Sequence, residues 1–139
     1  MADLERFVRA QDEHGTYDRA LRELRAGRKT SHWMWFVLPQ LEGLGRSATA
    51  RTYAVADLDE ARAYLDHPVL GARLRECCRA LLDLQDTSAV EVFGSVDALK
   101  LRSSMTLFVR ADPEEQVCVE VLQRFFDGQP DPATDALLR

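Results

Sequence analysis

The sequence predicts an all-α, compact multihelical domain spanning residues 1–139 as one unit. Three observations carry that prediction. Apolar side chains recur every three or four residues over most of the chain. Helix-starting residues such as Asp57, Asp112 and Asp131 alternate with helix-stopping glycines at Gly27, Gly94 and Gly128. A length of 139 residues leaves no room for a second core of useful size.

The elements follow in order. Asp3 is placed to cap a first helix carrying Leu4, Phe7 and Val8 on one face, with Gln11 one turn further on. His14-Gly15 breaks it. Thr16 then caps a second helix with the stripe Tyr17, Ala20, Leu21 and Leu24, ended by Gly27. Residues 28–46 are less regular. Ser31 could cap a helical turn, Pro39 ends any regular element, and Glu42-Gly43-Leu44-Gly45 reads as a loop before a short helix from Ser47 to Tyr53. Asp57 with Glu60 makes a capping box ahead of Ala61, Tyr64 and Leu65. His67-Pro68 stops that helix, and Pro68 suits the first turn of the next, which carries Leu70, Leu74, Cys77, Cys78 and Leu81. Gly71 weakens its start. Val90–Phe93 forms one turn closed by Gly94, and Val96–Phe108 reads as a helix with Ser95 or Asp97 near its cap. Asp112-Pro113-Glu114-Glu115 opens a helix buried through Val117, Val121, Leu122 and Phe125, and Asp131-Pro132 opens a terminal one. A strand pair at 33–38 and 104–109 is the structural alternative, because both stretches are rich in β-favouring residues.

Composition narrows the function classes. The chain is 46% hydrophobic and 29% charged, which is the globular range. Its longest apolar run, Trp33–Leu38, is far short of the ~20 residues a membrane span needs. The opening residues hold no apolar signal core, so a cytoplasmic location is expected. A net charge of −5 disfavours general nucleic-acid or anionic-membrane binding. Cys77, Cys78 and Cys118 lack metal-site spacing and read as reduced, apolar thiols; no metal and no cofactor is expected.

Two clusters concentrate the chemistry. The first runs from Gly27 to Phe36 and holds Arg28, Lys29, His32 and both tryptophans, Trp33 and Trp35, with Gln40 and Ser47 close behind. Arg binds phosphate or carboxylate bidentately and Lys as a point charge; indoles stack on bases or cations. A helix starting near Ser47 would add backbone N–H donors. The bland reading makes Trp33–Phe36 core and Arg28 and Lys29 partners of a helix C-terminus. The second cluster is Lys100, Ser103, Ser104 and Thr106, with Asp97 one turn upstream. On a helix Lys100, Ser103 and Ser104 share a face; the bland reading has the hydroxyls bonded to their own backbone. Acid/base candidates are His32 and Asp97. No nucleophile elbow, zinc, P-loop or dinucleotide motif is present.

Phe7-Val8-x-Ala10-Gln11, Tyr17, Ala20-Leu21-x-Glu23-Leu24, Gly27-Arg28-Lys29-Thr30-Ser31-His32-Trp33-Met34-Trp35-Phe36-x-x-Pro39-Gln40, Gly43-Leu44-Gly45-x-Ser47, His67-Pro68-x-Leu70-Gly71-x-Arg73-Leu74, Phe93-Gly94-x-x-Asp97 and Lys100-Leu101-x-Ser103-Ser104-Met105-Thr106 together resemble the domain of unknown function 1810 family, DUF1810. The resemblance runs nearly the whole chain. It implies a small bacterial or fungal cytoplasmic protein with a mainly helical fold and brings no established activity. Some members carry a calpastatin label, but calpastatin acts as an extended disordered chain and this sequence has the apolar periodicity of a core. The Gly-x-Lys and Trp-rich segment is remotely similar to the NADAR family, which acts on ADP-ribose derivatives.

The two clusters therefore lead to one expectation. Arg28, Lys29, Trp33, Trp35, Gln40 and Ser47 would face Lys100, Ser103, Ser104 and Thr106 across a pocket for a small anionic ligand: a nucleotide, phosphosugar or ADP-ribose-like molecule. His32 or Asp97 would supply acid/base chemistry if the ligand is hydrolysed. The alternative is a non-catalytic protein-interaction module that docks a partner through an exposed Trp33, Trp35 and Phe36 patch.

Overall fold

The chain turns its first corner by left-handed backbone. α1 (Glu5–Asp12) and α2 (Thr16–Ala26) are separated by a 3-10 turn, Glu13–Gly15, in which His14 and Gly15 have φ of 55° and 65°. The structure is a computed structural model that describes residues 3–139. Two of the expected caps differ. Asp3 does not cap α1; its carboxylate takes Arg9 instead. Gly15 occupies the cap of α2, and the Thr16 hydroxyl donates back to Glu13 O at 2.6 Å, because a left-handed residue already turns the chain there.

After α2 an extended loop leads to α3 (Met34–Val37), a single turn, and then to α4 (Ala48–Thr52). Ser31 does not cap α3, whose cap position is Trp33. α5 (Leu58–Asp66) starts as the capping box requires: Asp57 Oδ1 accepts from Glu60 N at 2.9 Å. Glu60 reaches back one residue further than expected, accepting from Ala56 N at 2.9 Å. α6 (Leu70–Asp83) begins two residues after Pro68, and His67 is more than a stop: its Nδ1 accepts from Val69 N and Leu70 N.

α7 (Ala89–Ala111) is broken at Gly94, with φ 81° and ψ 165°, so a new helical run starts at Ser95. α8 (Gln116–Phe126) starts later than its Asp-Pro signal, since Asp112 Oδ1 spends itself on Glu114 N. α9 (Pro132–Leu138) starts at the predicted Asp131-Pro132. No strand pair forms at 33–38 and 104–109: the first stretch contains α3 and the second lies inside α7. Ser103–Phe108 is buried on every side, which removes the polar face that would have marked it as a helix in the sequence. The extended pairing among the described residues is a parallel bridge between Leu41 and Val55.

α7 is the central element, packed on α5, α8 and α9; α6 packs on α2, α5 and α8. Trp33, Tyr64, Phe7 and Phe108 are fully buried between them. All three cysteines are free and buried, and burial pushes the Cys77 thiol up to about 12. No described helix is long and apolar enough to cross a membrane.

Gly71 is where the fold tolerates no side chain. A Cβ there would stand 2.1 Å from the carbonyl oxygen of Leu65, which also accepts from Arg75. Gly71→Ala is expected to lower the unfolding free energy by about 1–3 kcal/mol, the usual range for overpacking. Urea denaturation of the two proteins measures it.

Candidate functional site

The site begins with a buried carboxylate. Glu23 sits on the inward side of α2, 9% exposed. It accepts from Thr30 N at 2.7 Å, Ser31 N at 3.0 Å, the Ser31 hydroxyl at 2.5 Å and the Trp33 indole N–H at 2.9 Å. Burial alone would raise its pKa; the hydrogen bonds, led by Ser31, outweigh it and bring the carboxyl from 4.5 to about 2. Four donors on one anion hold residues 30–33 in place.

On the other side the same loop is tied to α7. Lys29 N donates to Val92 O at 2.8 Å. The Lys29 ammonium, 7% exposed, bonds Asp97 Oδ2 at 2.8 Å and Ser31 O at 2.6 Å, and lies 5.1 Å from the Trp33 ring. Lys100, one turn along α7, meets the other oxygen, Asp97 Oδ1, at 3.1 Å. Its ammonium stands 3.9 Å over the half-buried Trp35 ring. A Cβ on Gly45 would sit 3.2 Å from Trp35, so the glycine loop passes close to that indole. Asp97 would be raised by burial, but hydrogen bonds from Lys29 and then Lys100 hold it below the usual carboxylate range.

Of the residues singled out in the sequence, Lys29, Asp97, Lys100, Trp33 and Trp35 come together. Trp33 is fully buried and offers no stacking surface. Arg28 and His32 are exposed on the same loop. Gln40 contributes its carbonyl to Val55 N at 2.9 Å. Ser47 caps α4, accepting from Ala50 N at 3.1 Å, and α4 is a single turn.

The hydroxyls of the second cluster divide. Ser103 donates to Leu99 O and lies 2.8 Å from Asp131 Oδ2; Thr106 donates to Arg102 O and accepts from Asp131 N. Both turn to the start of α9, away from Lys100. Ser104 is fully buried and its hydroxyl has no hydrogen-bond partner among the described residues. Its spacing from Asp97 and Lys100 puts it on their stripe of α7. The four cavities described, of about 150 to 370 Å³, are lined by other residues than Lys29, Asp97 and Lys100. Glu23, one of the positions of the family resemblance, is the residue to which sequence reasoning gave no role. An acid beside the apolar stripe of an amphipathic helix was the available signal.

A family model described as a protein of unknown function (DUF1810) matches residues 1–138. The chain belongs to the DUF1810 family. Its fold is shared with the conserved hypothetical protein Rv1873 from Mycobacterium tuberculosis, whose crystal structure is 51% identical in sequence. That match covers 98% of this chain and 96% of the other, with a TM-score of 0.94. No curated protein matches this DUF1810 chain.

The Glu23 anchor makes a pH prediction. Its folded pKa is depressed, so its stabilisation is complete above the unfolded value near 4.5 and is lost as pH falls toward 2. The difference corresponds to roughly 3 kcal/mol. Glu23→Gln is expected to lower stability at pH 7 and to flatten the decline between pH 4.5 and 2, read from denaturation midpoints across that window.

Proposed function

We propose that this chain binds a small anionic ligand with a planar or sugar portion — a nucleotide, phosphosugar or ADP-ribose-like molecule — at the Lys29, Asp97, Lys100 and Trp35 cluster. The observation that carries the reading is the meeting of two lysine ammoniums on one carboxylate beside a half-buried indole. Two cations against one anion leave one positive charge over. Lys29 is engaged on all sides, so Lys100 is the group that reaches a ligand: it is 20% exposed and has one carboxylate contact. A phosphate would bond Lys100 and share the ammonium with Asp97. The ligand's ring would take the free edge of Trp35 or replace the ammonium over its face.

In this scheme Asp97, held ionised, positions the two lysines and accepts hydrogen bonds rather than donating a proton. His32, exposed on the adjoining loop, is the acid/base group if the ligand is hydrolysed at a glycosidic or phosphoester bond. Arg28 is the second exposed cation of that loop and would steer anions toward it.

A second reading has one observation in its favour. Val96 and Leu99 are 66% and 63% exposed within one turn of Lys100, an apolar pair fit for a protein partner. Trp33 contributes nothing to such a patch because it is sealed in the core.

A thermal-shift panel of ADP-ribose, AMP, ribose phosphate and inorganic phosphate separates the readings. A shift with at least one of the first three, reduced about tenfold in affinity by Lys100→Ala, is expected, since a charge-assisted bond is worth about 1.5–3 kcal/mol. Asp97→Asn is expected to strengthen anion binding while lowering the unliganded midpoint. No shift across the panel, or shifts untouched by Lys100→Ala, would favour the docking surface.

A further inference from the structure

A second polar site lies at α2 and α6. A groove of about 370 Å³ runs between α2 and α6, walled by Arg25, Arg73, Glu76, Arg79 and Asp83. Two of these side chains are held from inside the protein. The buried Tyr17 hydroxyl donates to Glu76 Oε1 at 2.5 Å, which leaves Oε2 facing Arg25 at 3.8 Å. Arg73 lies 4.8 Å from the Tyr17 ring, bonds Asp12 at 2.7 Å and donates to Gln11 Oε1 at 3.1 Å. Gln11, 1% exposed, in turn donates to Phe36 O and the Tyr64 hydroxyl. An unbroken polar chain thus runs from the core to the groove. An ordinary solvated helix face has no such support.

The remaining wall groups are open. Arg79 and Asp83 are exposed and have no ion-pair partner within 4.0 Å among the described residues, and Arg25 has only its loose contact with Glu76. The groove therefore offers guanidiniums and carboxylates together, with the fixed Glu76 oxygen one turn from Arg79. A simple anion would meet Glu76 and Asp83; a simple cation would meet three arginines. The geometry points to a small zwitterion as the ligand of this groove, its carboxylate on Arg79 and Arg25 and its ammonium on Glu76 and Asp83. This site is independent of the one at Lys100.

The test compares δ-aminovalerate with its two halves, valerate and pentylamine, on the full chain, following amide NMR shifts. The zwitterion is expected to bind about tenfold or more tightly than either half and to perturb amides of α2 and α6. Arg79→Gln and Glu76→Gln are each expected to weaken it about tenfold, the scale of one charge-assisted bond. Lys100→Ala is expected to leave it unchanged. Arg79 is exposed, so its variant reads binding rather than folding. Valerate binding as well as δ-aminovalerate, or no loss in Arg79→Gln, would overturn the proposal, as would the absence of any saturable shift.

Discussion

The site depends on a carboxylate solvated by the protein in place of water. Glu23 has no cation against it among the described residues; four N–H and O–H donors from Thr30, Ser31 and Trp33 carry its charge. Burying an ion this way is stable only while every donor stays aimed, because the cost of an unpaired buried charge is several kcal/mol. The loop is therefore rigid by electrostatic necessity. That rigidity seats Trp33 in the core, and places Lys29 where its ammonium can reach α7. One acid on α2 thereby sets the position of a cation two turns of chain away.

α7 meets that cation through a break in its own helix. Gly94 takes backbone angles, φ 81° and ψ 165°, open in practice to glycine alone. The helix restarts at Ser95 and brings Asp97 and Lys100 onto the side facing Lys29 and Trp35. The resulting cluster keeps Asp97 ionised, but its net gain for the fold is small. Lys29 is almost wholly buried, and the desolvation of such a pair commonly cancels its attraction, so apolar residues of similar volume would serve the fold as well. Ser104, on the same stripe, carries a cost: an unbonded buried hydroxyl loses about 1–3 kcal/mol.

The helices were legible because their signals are local. Gly27 at a C-terminus, Asp57 and Asp131 at caps, and Gly94 as a break act through their own backbone and nearest neighbours. The convergence of Lys29 with Asp97 and Lys100 was legible only as an unusual concentration of residue types in two stretches. The misplaced hydroxyls show the limit of that kind of reading. Ser103 and Ser104 are neighbours in sequence but point about a hundred degrees apart on a helix, and only the packing of α9 decides which one is recruited. Ser103 and Thr106 were recruited by Asp131, a partner some 28 and 25 residues away. Glu23 was given no role for the related reason that two of its four donors are backbone groups, whose direction no residue letter records.

The two polar sites differ in how their charges are anchored, and this bears on what each can do. At Lys100 the anchor is a buried ion pair, so a ligand must compete with Asp97 for the ammonium it seeks. Under the proposed reading a phosphate would share that ammonium with Asp97, which suits a ligand with additional contact, such as a ring on Trp35. At the α6 groove the anchor of Glu76 is neutral: the Tyr17 hydroxyl holds one oxygen without cancelling the charge, whereas Arg73 is paired with Asp12. Glu76 is thus oriented with its charge only loosely met by Arg25, and Arg79 and Asp83 are unpaired among the described residues. A small ligand with little apolar surface can bind only where charge is presented in that form, since it has no other source of free energy with which to displace a competing residue.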